Sequence, residues 1–149
     1  MKVLVLHGPN LNMLGKRDPA IYGAQTLDEL NRRVQQRAAE LGVQVECFQA
    51  NGEGALIDFL QRAAPTAQGV IINPGAYGHY SYAIHDALVD TGLPVIEVHL
   101  SNVQAREEWR RRSVIAPAAR GVVSGFGWRS YTAALDLLVA LVNETGHKA

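Results

Sequence analysis

The chain has few cysteines, no excess of positive charge and no long apolar run, and each of these absences excludes a class of protein. It has one cysteine, Cys47, among 149 residues, so it cannot form an internal disulfide, and it does not belong to the disulfide-rich secreted class. Acidic and basic side chains balance at 14 each, which removes the long-range positive field that nucleic-acid binding needs. No apolar run approaches the roughly 20 residues of a membrane-spanning helix. We therefore expect a soluble cytoplasmic protein with neither a nucleic-acid partner nor a membrane association.

Lysines and metal-ligand clusters are also scarce. The three lysines are Lys2, Lys16 and Lys148. None lies in the interior of a buried strand pattern, which disfavours Schiff-base chemistry and leaves acid–base catalysis. His79 and His85 are six residues apart, a spacing that does not match one helix face, so we expect no metal. We assign His85 to a helix surface or core, and His7 to packing within the first strand.

Five short runs rich in Val, Ile and Leu alternate with helical patterns. The runs cover residues 2–7, 43–48, 69–73, 94–99 and 121–125. The helical patterns cover residues 27–41, 53–64, 81–91 and 130–145, with a shorter piece over 105–112. The first helix has the clearest limits, because Thr26 and Glu29 form a capping box and Gly42 suits the position after its last residue.

This alternation of strands and helices predicts right-handed crossovers and a parallel sheet that is buried on both faces. The length of 149 residues suits one domain, residues 1–149. We expect an α/β fold, a flavodoxin-like three-layer sandwich around a five-stranded parallel sheet of order 2-1-3-4-5.

Polar residues gather where this fold places a ligand, beyond the carboxyl ends of the strands at the switch between strands 1 and 3. Asn10 follows strand 1 and Asn73 ends strand 3. In strand 4 the alternation of side chains puts Glu97, His99 and Ser101 on one face. An apolar strand that turns polar at its carboxyl end is typical of a site, which makes His99 the strongest single candidate.

The connection after strand 1, residues 8–25, is much longer than the usual 2–6 residues. It carries Arg17 and Tyr22, which suggests a function rather than a spacer. A phenol is a poor base at neutral pH unless a nearby positive charge favours the phenolate, and Arg17 could supply that charge. We interpret residues 11–25 as a lid over the site.

The segment 105–112 is predicted to be helical, with Glu107–Arg111 and Glu108–Arg112 as ion pairs four residues apart. Arg106 and Arg110 have no such acid and repel one another unless an anion or another subunit lies between them. We expect Arg110 to bind a substrate anion. For Arg106 a solvated surface position is equally compatible with the pattern.

Other functions occur on the same fold. A flavin or nucleotide module would place hydroxyl donors after strand 1, where "GPNLNML" has none. A phosphoacceptor receiver domain would need acids after strand 1 and an aspartate where this chain has Asn73. A ligand-binding or signalling module without catalysis is the alternative to an enzyme.

Several long motifs in one register are similar to those of type II 3-dehydroquinate dehydratases. The motifs are "GPNLNMLGKRDPAIYG", "NGEGALIDFLQ", "INPGAYGHYSYAIHDAL", "PVIEVHLSN", "AREEWRRRS" and "GVVSGFG". The resemblance covers nearly the whole chain. It implies a flavodoxin-like enzyme that removes water from 3-dehydroquinate to give 3-dehydroshikimate through an enolate, with no cofactor and no metal.

The resemblance also implies roles for individual residues. Tyr22 would be the phenolate base, with Arg17 sustaining its ionisation, His99 the general acid, and Asn10 the residue that holds a water near the enolate. The groups that would bind the substrate carboxylate and hydroxyls are Asn73, His79, Arg110 and, chiefly through backbone, Leu100 and Ser101. Asp86 corresponds to a substrate-site residue that can come from a neighbouring subunit. Glu97 would support the substrate-contacting groups from behind.

The family assembles as trimers built into a dodecamer, so the resemblance implies a homo-oligomer of this kind. The chain departs from the family motifs at Gly52, where serine is common, and at Gly78 and Tyr80, where threonines are common. None of these departures removes a proposed catalytic group. We expect Gly78 to affect loop geometry and affinity more than activity.

Overall fold

The computed structural model describes residues 1–146, so Lys148 lies outside the described residues. The strands are β1 (Lys2–His7), β2 (Gln44–Gln49), β3 (Gly69–Asn73), β4 (Val95–His99) and β5 (Gly121–Ser124). The helices are α1 (Pro19–Tyr22), α2 (Leu27–Leu41), α3 (Glu53–Ala63), α4 (Tyr82–Asp90) and α5 (Arg129–Gly146).

All neighbouring strands pair in parallel, in the order β2-β1-β3-β4-β5. This confirms the predicted sheet order and fold class. In the register of the two strands at the switch point, His7 of β1 lies beside Asn73 of β3. The carboxyl ends of β1, β3 and β4 therefore meet at one edge of the sheet, as a parallel sheet requires.

Alternating side chains of the strands fill two apolar cores, one on each face of the sheet. Val3 and Val5 of β1 face the core that α2 and α5 cover, while Leu4 and Leu6 face the core that α3 and α4 cover. All four side chains have no solvent exposure, which is why these strands are continuous apolar runs in the sequence. The sheet and the helices on its two faces therefore form three layers.

The helix limits follow the local signals in the sequence. The Thr26 hydroxyl oxygen accepts the backbone N–H of Glu29 over 3.2 Å, and Gly42 ends α2 in the left-handed region at φ 71°. Ser81 caps α4 by accepting the backbone N–H of Ile84 over 3.1 Å. Each predicted long helix agrees with the observed helix to within one or two residues.

The prediction for residues 105–112 was wrong. That segment forms two short 3₁₀ turns, Val103–Ala105 and Glu108–Arg111, rather than one helix. In a 3₁₀ turn residues three apart lie above one another, so Glu107 pairs with Arg110 instead of Arg111. The predicted ion pairs four residues apart need a full α-helical turn, which this segment does not form.

Two titratable side chains of the scaffold, the buried His7 and the half-buried Cys47, have shifted pKa values. Burial lowers the pKa of His7 to about 4, and the hydrogen bond to Asn31 over 2.7 Å offsets this only in part. Burial also raises the pKa of the Cys47 thiol to about 12, which disfavours the thiolate at neutral pH. Within the described part of the chain, no helix is long and apolar enough to cross a membrane.

Candidate active site

The carboxyl edges of β1 and β3 approach one another closely, and this contact forms the base of a cleft. Gly8 donates its backbone N–H to the Asn73 carbonyl over 2.8 Å, and a Cβ at Gly8 would lie 2.5 Å from the Pro74 carbonyl oxygen. Only glycine permits that approach. Asn10 then takes a left-handed conformation at φ 70° and donates its backbone N–H to the Asn51 side chain over 3.0 Å.

The long connection is folded over the cleft rather than extended. It forms a 3₁₀ turn at Leu11–Met13 and the four-residue helix α1, which begins at Pro19 and which the Asp18 carboxylate caps. Tyr22 is the last residue of α1. The short helix therefore fixes where the Tyr22 ring enters the cleft.

Two arginines converge on the Tyr22 hydroxyl. Arg17 donates to it over 2.9 Å and Arg106 over 2.8 Å. The Arg17 guanidinium also lies over the Tyr22 ring, 3.8 Å from its centroid. Two cationic donors at one phenol oxygen stabilise a negative charge on that oxygen.

Arg106 is the site residue that the sequence left undecided. Its guanidinium also donates to the Ser101 hydroxyl over 3.1 Å, and its Nε is buried with no acceptor among residues 1–146. It is not a solvated surface cation. The signal was its position beside Arg110 without an acid partner, but the sequence could not show that Tyr22 lies within reach.

His99 lies at the end of β4, on the same face as Glu97. Its Nε2–H donates to the Glu97 carboxylate over 2.6 Å, and Glu97 has only 1% of its surface exposed. A carboxylate only accepts, so this bond places a proton on Nε2 and leaves Nδ1 as the second proton-carrying atom of the ring. Such a pair holds an imidazole in one orientation.

The cleft collects most of the residues that the sequence singled out. It is lined by Asn10, Arg17, Tyr22, Asn73, His79, His99, Leu100, Ser101 and Arg110, together with Arg106 and neighbouring loop residues. Glu97 lies behind His99. Asp86 is elsewhere: its side chain is 78% exposed and pairs with His85 over 3.1 Å. Within a single chain Asp86 therefore does not reach the cleft.

The charge around the cleft suits an anion. Arg17, Arg106 and Arg110 all line it, and Glu107, which pairs with Arg110, is exposed and does not line the cleft. The hydrogen bond from Arg110 lowers the pKa of Glu107. Three guanidinium groups around one cleft provide planar donors of the kind that bind carboxylates.

His79 lines the cleft, and Gly78 precedes it in the 3₁₀ turn after β3. A Cβ at Gly78 would lie 2.8 Å from Pro74 Cγ and 3.9 Å from His99 Cε1, so glycine gives the histidine ring more space. His79 Nδ1 pairs with the Arg112 carbonyl over 2.7 Å, and its ring lies 6.4 Å from that of His99. Tyr80 is 59% exposed and does not line the cleft.

Comparison with known proteins agrees with this arrangement. The family model described as Dehydroquinase class II matches residues 1–139. The chain belongs to this family. It is 54% identical over 141 residues to the 3-dehydroquinate dehydratase of Pelotomaculum thermopropionicum, covering 95% of this chain and 98% of that protein. It is 57% identical over 139 residues to the enzyme of the same name from Roseiflexus castenholzii, covering 93% and 88%.

Solved structures agree at the level of the whole fold. The type II dehydroquinase of Butyrivibrio crossotus superimposes with a TM-score of 0.90 and 46% identity, covering 93% of this chain and 97% of that one. The prediction of the family is confirmed. The described residues hold no group of three or more His, Cys, Asp or Glu side chains placed to bind a metal.

Proposed function

We propose that this class II dehydroquinase dehydrates 3-dehydroquinate to 3-dehydroshikimate through an enolate, with Tyr22 as base and His99 as acid. Its family membership makes it a hydro-lyase, and the relatives named above carry the name 3-dehydroquinate dehydratase. The observation that carries the mechanism is the pair of arginines on the Tyr22 hydroxyl, with His99 in the same cleft.

The first step removes a proton from the carbon next to the substrate ketone. Tyr22 takes this proton as a phenolate, and the electron pair moves into the ketone to form the enolate. Arg17 and Arg106, at 2.9 and 2.8 Å, favour the phenolate by charge and hydrogen bonding. Asn10 holds a water that stabilises the enolate oxygen.

The second step expels the hydroxyl group. His99 gives it a proton from Nδ1 as the carbon–oxygen bond breaks, so that water leaves and the enolate electrons form the new double bond. Glu97 stabilises the imidazolium before the proton is transferred. Its hydrogen bond to His99 Nε2, 2.6 Å long, keeps the ring in one orientation. The cycle ends with a proton on Tyr22 and a neutral His99. Tyr22 then loses its proton to solvent and His99 gains one from solvent, which restores the starting state.

The remaining residues of the cleft bind the substrate. Arg110 pairs with its carboxylate, and Asn73, His79, Leu100 and Ser101 bind its carboxylate and hydroxyls, with Leu100 and Ser101 acting chiefly through backbone groups. Residues 11–25 act as a lid that excludes water around the base. This reaction needs no cofactor and no metal.

The site is completed in an assembly. We propose trimers built into a dodecamer, in which Asp86 of one subunit reaches the cleft of its neighbour. The exposed Asp86 side chain, 78% accessible in the single chain, is compatible with that role. The enzyme works in the cytoplasm on a small anionic substrate.

The test is to add 3-dehydroquinate to metal-stripped protein and follow the ultraviolet absorbance of the conjugated enone, with and without borohydride pretreatment. We expect turnover to survive both treatments, because neither a metal nor an imine is involved. Loss of turnover on stripping or on borohydride treatment would overturn the mechanism. No signal from folded, assembled protein would favour the alternative, a flavodoxin-like ligand-binding or signalling module without catalysis.

A further inference from the structure

Ser113 is a polar residue behind the site that the proposed mechanism does not use. Its hydroxyl donates to Glu97 Oε1 over 2.6 Å. Its oxygen accepts the backbone N–H groups of Ile115 over 3.1 Å and Ala116 over 2.9 Å. Because both lone pairs are occupied by N–H donors, the hydroxyl proton points to Glu97, and the serine has one fixed polarity.

Glu97 thus receives one donor on each carboxylate oxygen. Ser113 binds Oε1, and His99 Nε2 binds Oε2 over 2.6 Å. Glu97 has 1% of its surface exposed, so water does little to solvate its negative charge. The charge is therefore divided between the hydrogen bonds to Ser113 and to His99. A stronger bond at Oε1 leaves less negative charge at Oε2.

We propose that Ser113 is a positioning residue that adjusts the acidity of His99 through Glu97, an inference that rests on the proposed function for its catalytic meaning. The two backbone N–H groups polarise the Ser113 hydroxyl, which draws the Glu97 charge toward Oε1. His99 then holds its proton less tightly and passes it more readily to the departing hydroxyl. Ser113 also fixes the plane of the carboxylate, and with it the ring of His99.

Other charged or titratable groups face His99 from different elements. His79, on the turn after β3, has its ring 6.4 Å away, and Arg17, Tyr22, Arg106 and Arg110 line the same cleft. None of these is a hydrogen-bond partner of Ser113 in the described structure. Replacing Ser113 therefore changes one input to His99 and leaves the cleft charges in place.

The first variant is Ser113→Ala. This substitution removes one of the two donors to the buried Glu97 carboxylate, which strengthens the bond that Glu97 makes to His99. We expect the alkaline limb of kcat to move up by about one pH unit and kcat to fall roughly tenfold, with KM changed less than about twofold. Ser113→Thr keeps the hydroxyl and should restore the wild-type profile.

Ser81 provides a matched control, because its chemistry is the same at another carboxylate. Its hydroxyl donates to Glu53 and its oxygen caps the backbone N–H of Ile84 over 3.1 Å. Ser81→Ala should lower stability, as any lost cap does, but leave the alkaline limb of kcat in place. If both alanine variants shift the limb alike, the effect is structural and the role of Ser113 is overturned.

A second measurement needs no substrate. In histidine-labelled protein the ring resonances of His99, assigned with His99→Gln, are titrated in the wild type and in Ser113→Ala. An upward shift of the midpoint supports the inference, and an unchanged midpoint overturns it. Absence of wild-type turnover would overturn the proposed function alone, since the titration reports on Ser113, Glu97 and His99 without catalysis.

Discussion

Arg106 donates to the Tyr22 hydroxyl over 2.8 Å, although 84 residues separate the two in the chain. This bond joins the segment after β4 to the connection after β1. It places a second guanidinium on the oxygen that Arg17 also contacts. The proposed base therefore depends on two cations from different parts of the sequence.

The contribution of Arg106 can be measured with Arg106→Gln. The variant loses one charge-assisted hydrogen bond to the phenolate, and such a bond contributes about 1.5–3 kcal/mol. We therefore expect kcat/KM to fall roughly 10- to 100-fold. The acidic limb of the pH profile should move to higher pH, because the phenolate is less stabilised. The exposed Arg111 is the control, and Arg111→Gln should leave the limb unmoved. An unshifted limb in Arg106→Gln would assign the ionisation to other groups.

Arg17 is expected to act in the same direction. Arg17→Ala should also move the acidic limb of the rate profile to higher pH, since Arg17 donates to the same oxygen over 2.9 Å. Lys16→Ala removes a neighbouring exposed cation of the same loop and should not change the profile. If Lys16→Ala and Arg17→Ala have equal effects, the loop acts by net charge and not by contact.

Tyr22→Phe tests the base itself. The variant keeps the ring that packs beneath Arg17 but has no ionisable oxygen, so kcat should fall by roughly 10²- to 10⁴-fold. Ligand affinity, measured by calorimetry with a substrate analogue, should change little. A variant with a near-normal rate would remove Tyr22 from the role of base.

The proposed lid predicts ligand-dependent protection. Saturating substrate analogue should slow hydrogen exchange and proteolysis within residues 11–25, because a bound ligand holds the segment against the cleft and suppresses its transient opening. The amides of α2 serve as the internal control and should change less. Equal exchange with and without the analogue would contradict a closing lid.

The buried His7 predicts a pH dependence of stability. Its pKa is about 4 in the folded protein, against the ordinary histidine value of 6.5 in the unfolded chain. Between these two values the unfolded chain binds a proton that the folded chain does not. The free energy of unfolding should therefore fall as the pH drops from 6.5 toward 4, by about 3 kcal/mol at most.

Denaturant unfolding at several pH values checks this expectation. His7→Gln has no titrating ring, so its stability should be lower overall but should lose the His7 part of the slope between pH 4 and 6.5. His85→Gln, which replaces a partly exposed histidine, should keep that slope. Identical slopes in wild type and His7→Gln would assign the acid sensitivity to carboxylates instead.

Local patterns in the sequence determined the scaffold. The capping box at Thr26 marks the start of α2, and continuous apolar runs mark buried parallel strands, because these signals depend on neighbouring residues and simple burial. The topology rule for parallel sheets then places Asn73 and His99, which end their strands, at the edge of the sheet where ligands bind. The similarity of several motifs predicted the family, and the match to the class II dehydroquinase model confirms it.

Only the tertiary structure showed that Arg106 meets Tyr22 and that Ser113 meets Glu97. The segment after β4 forms two 3₁₀ turns instead of an α-helix, and in this structure Arg106 reaches Tyr22 while Ser113 reaches Glu97. Contacts across 84 or 16 residues leave no periodic signal in the chain. Their energies come from distance and burial, which exist only once the segments are packed together.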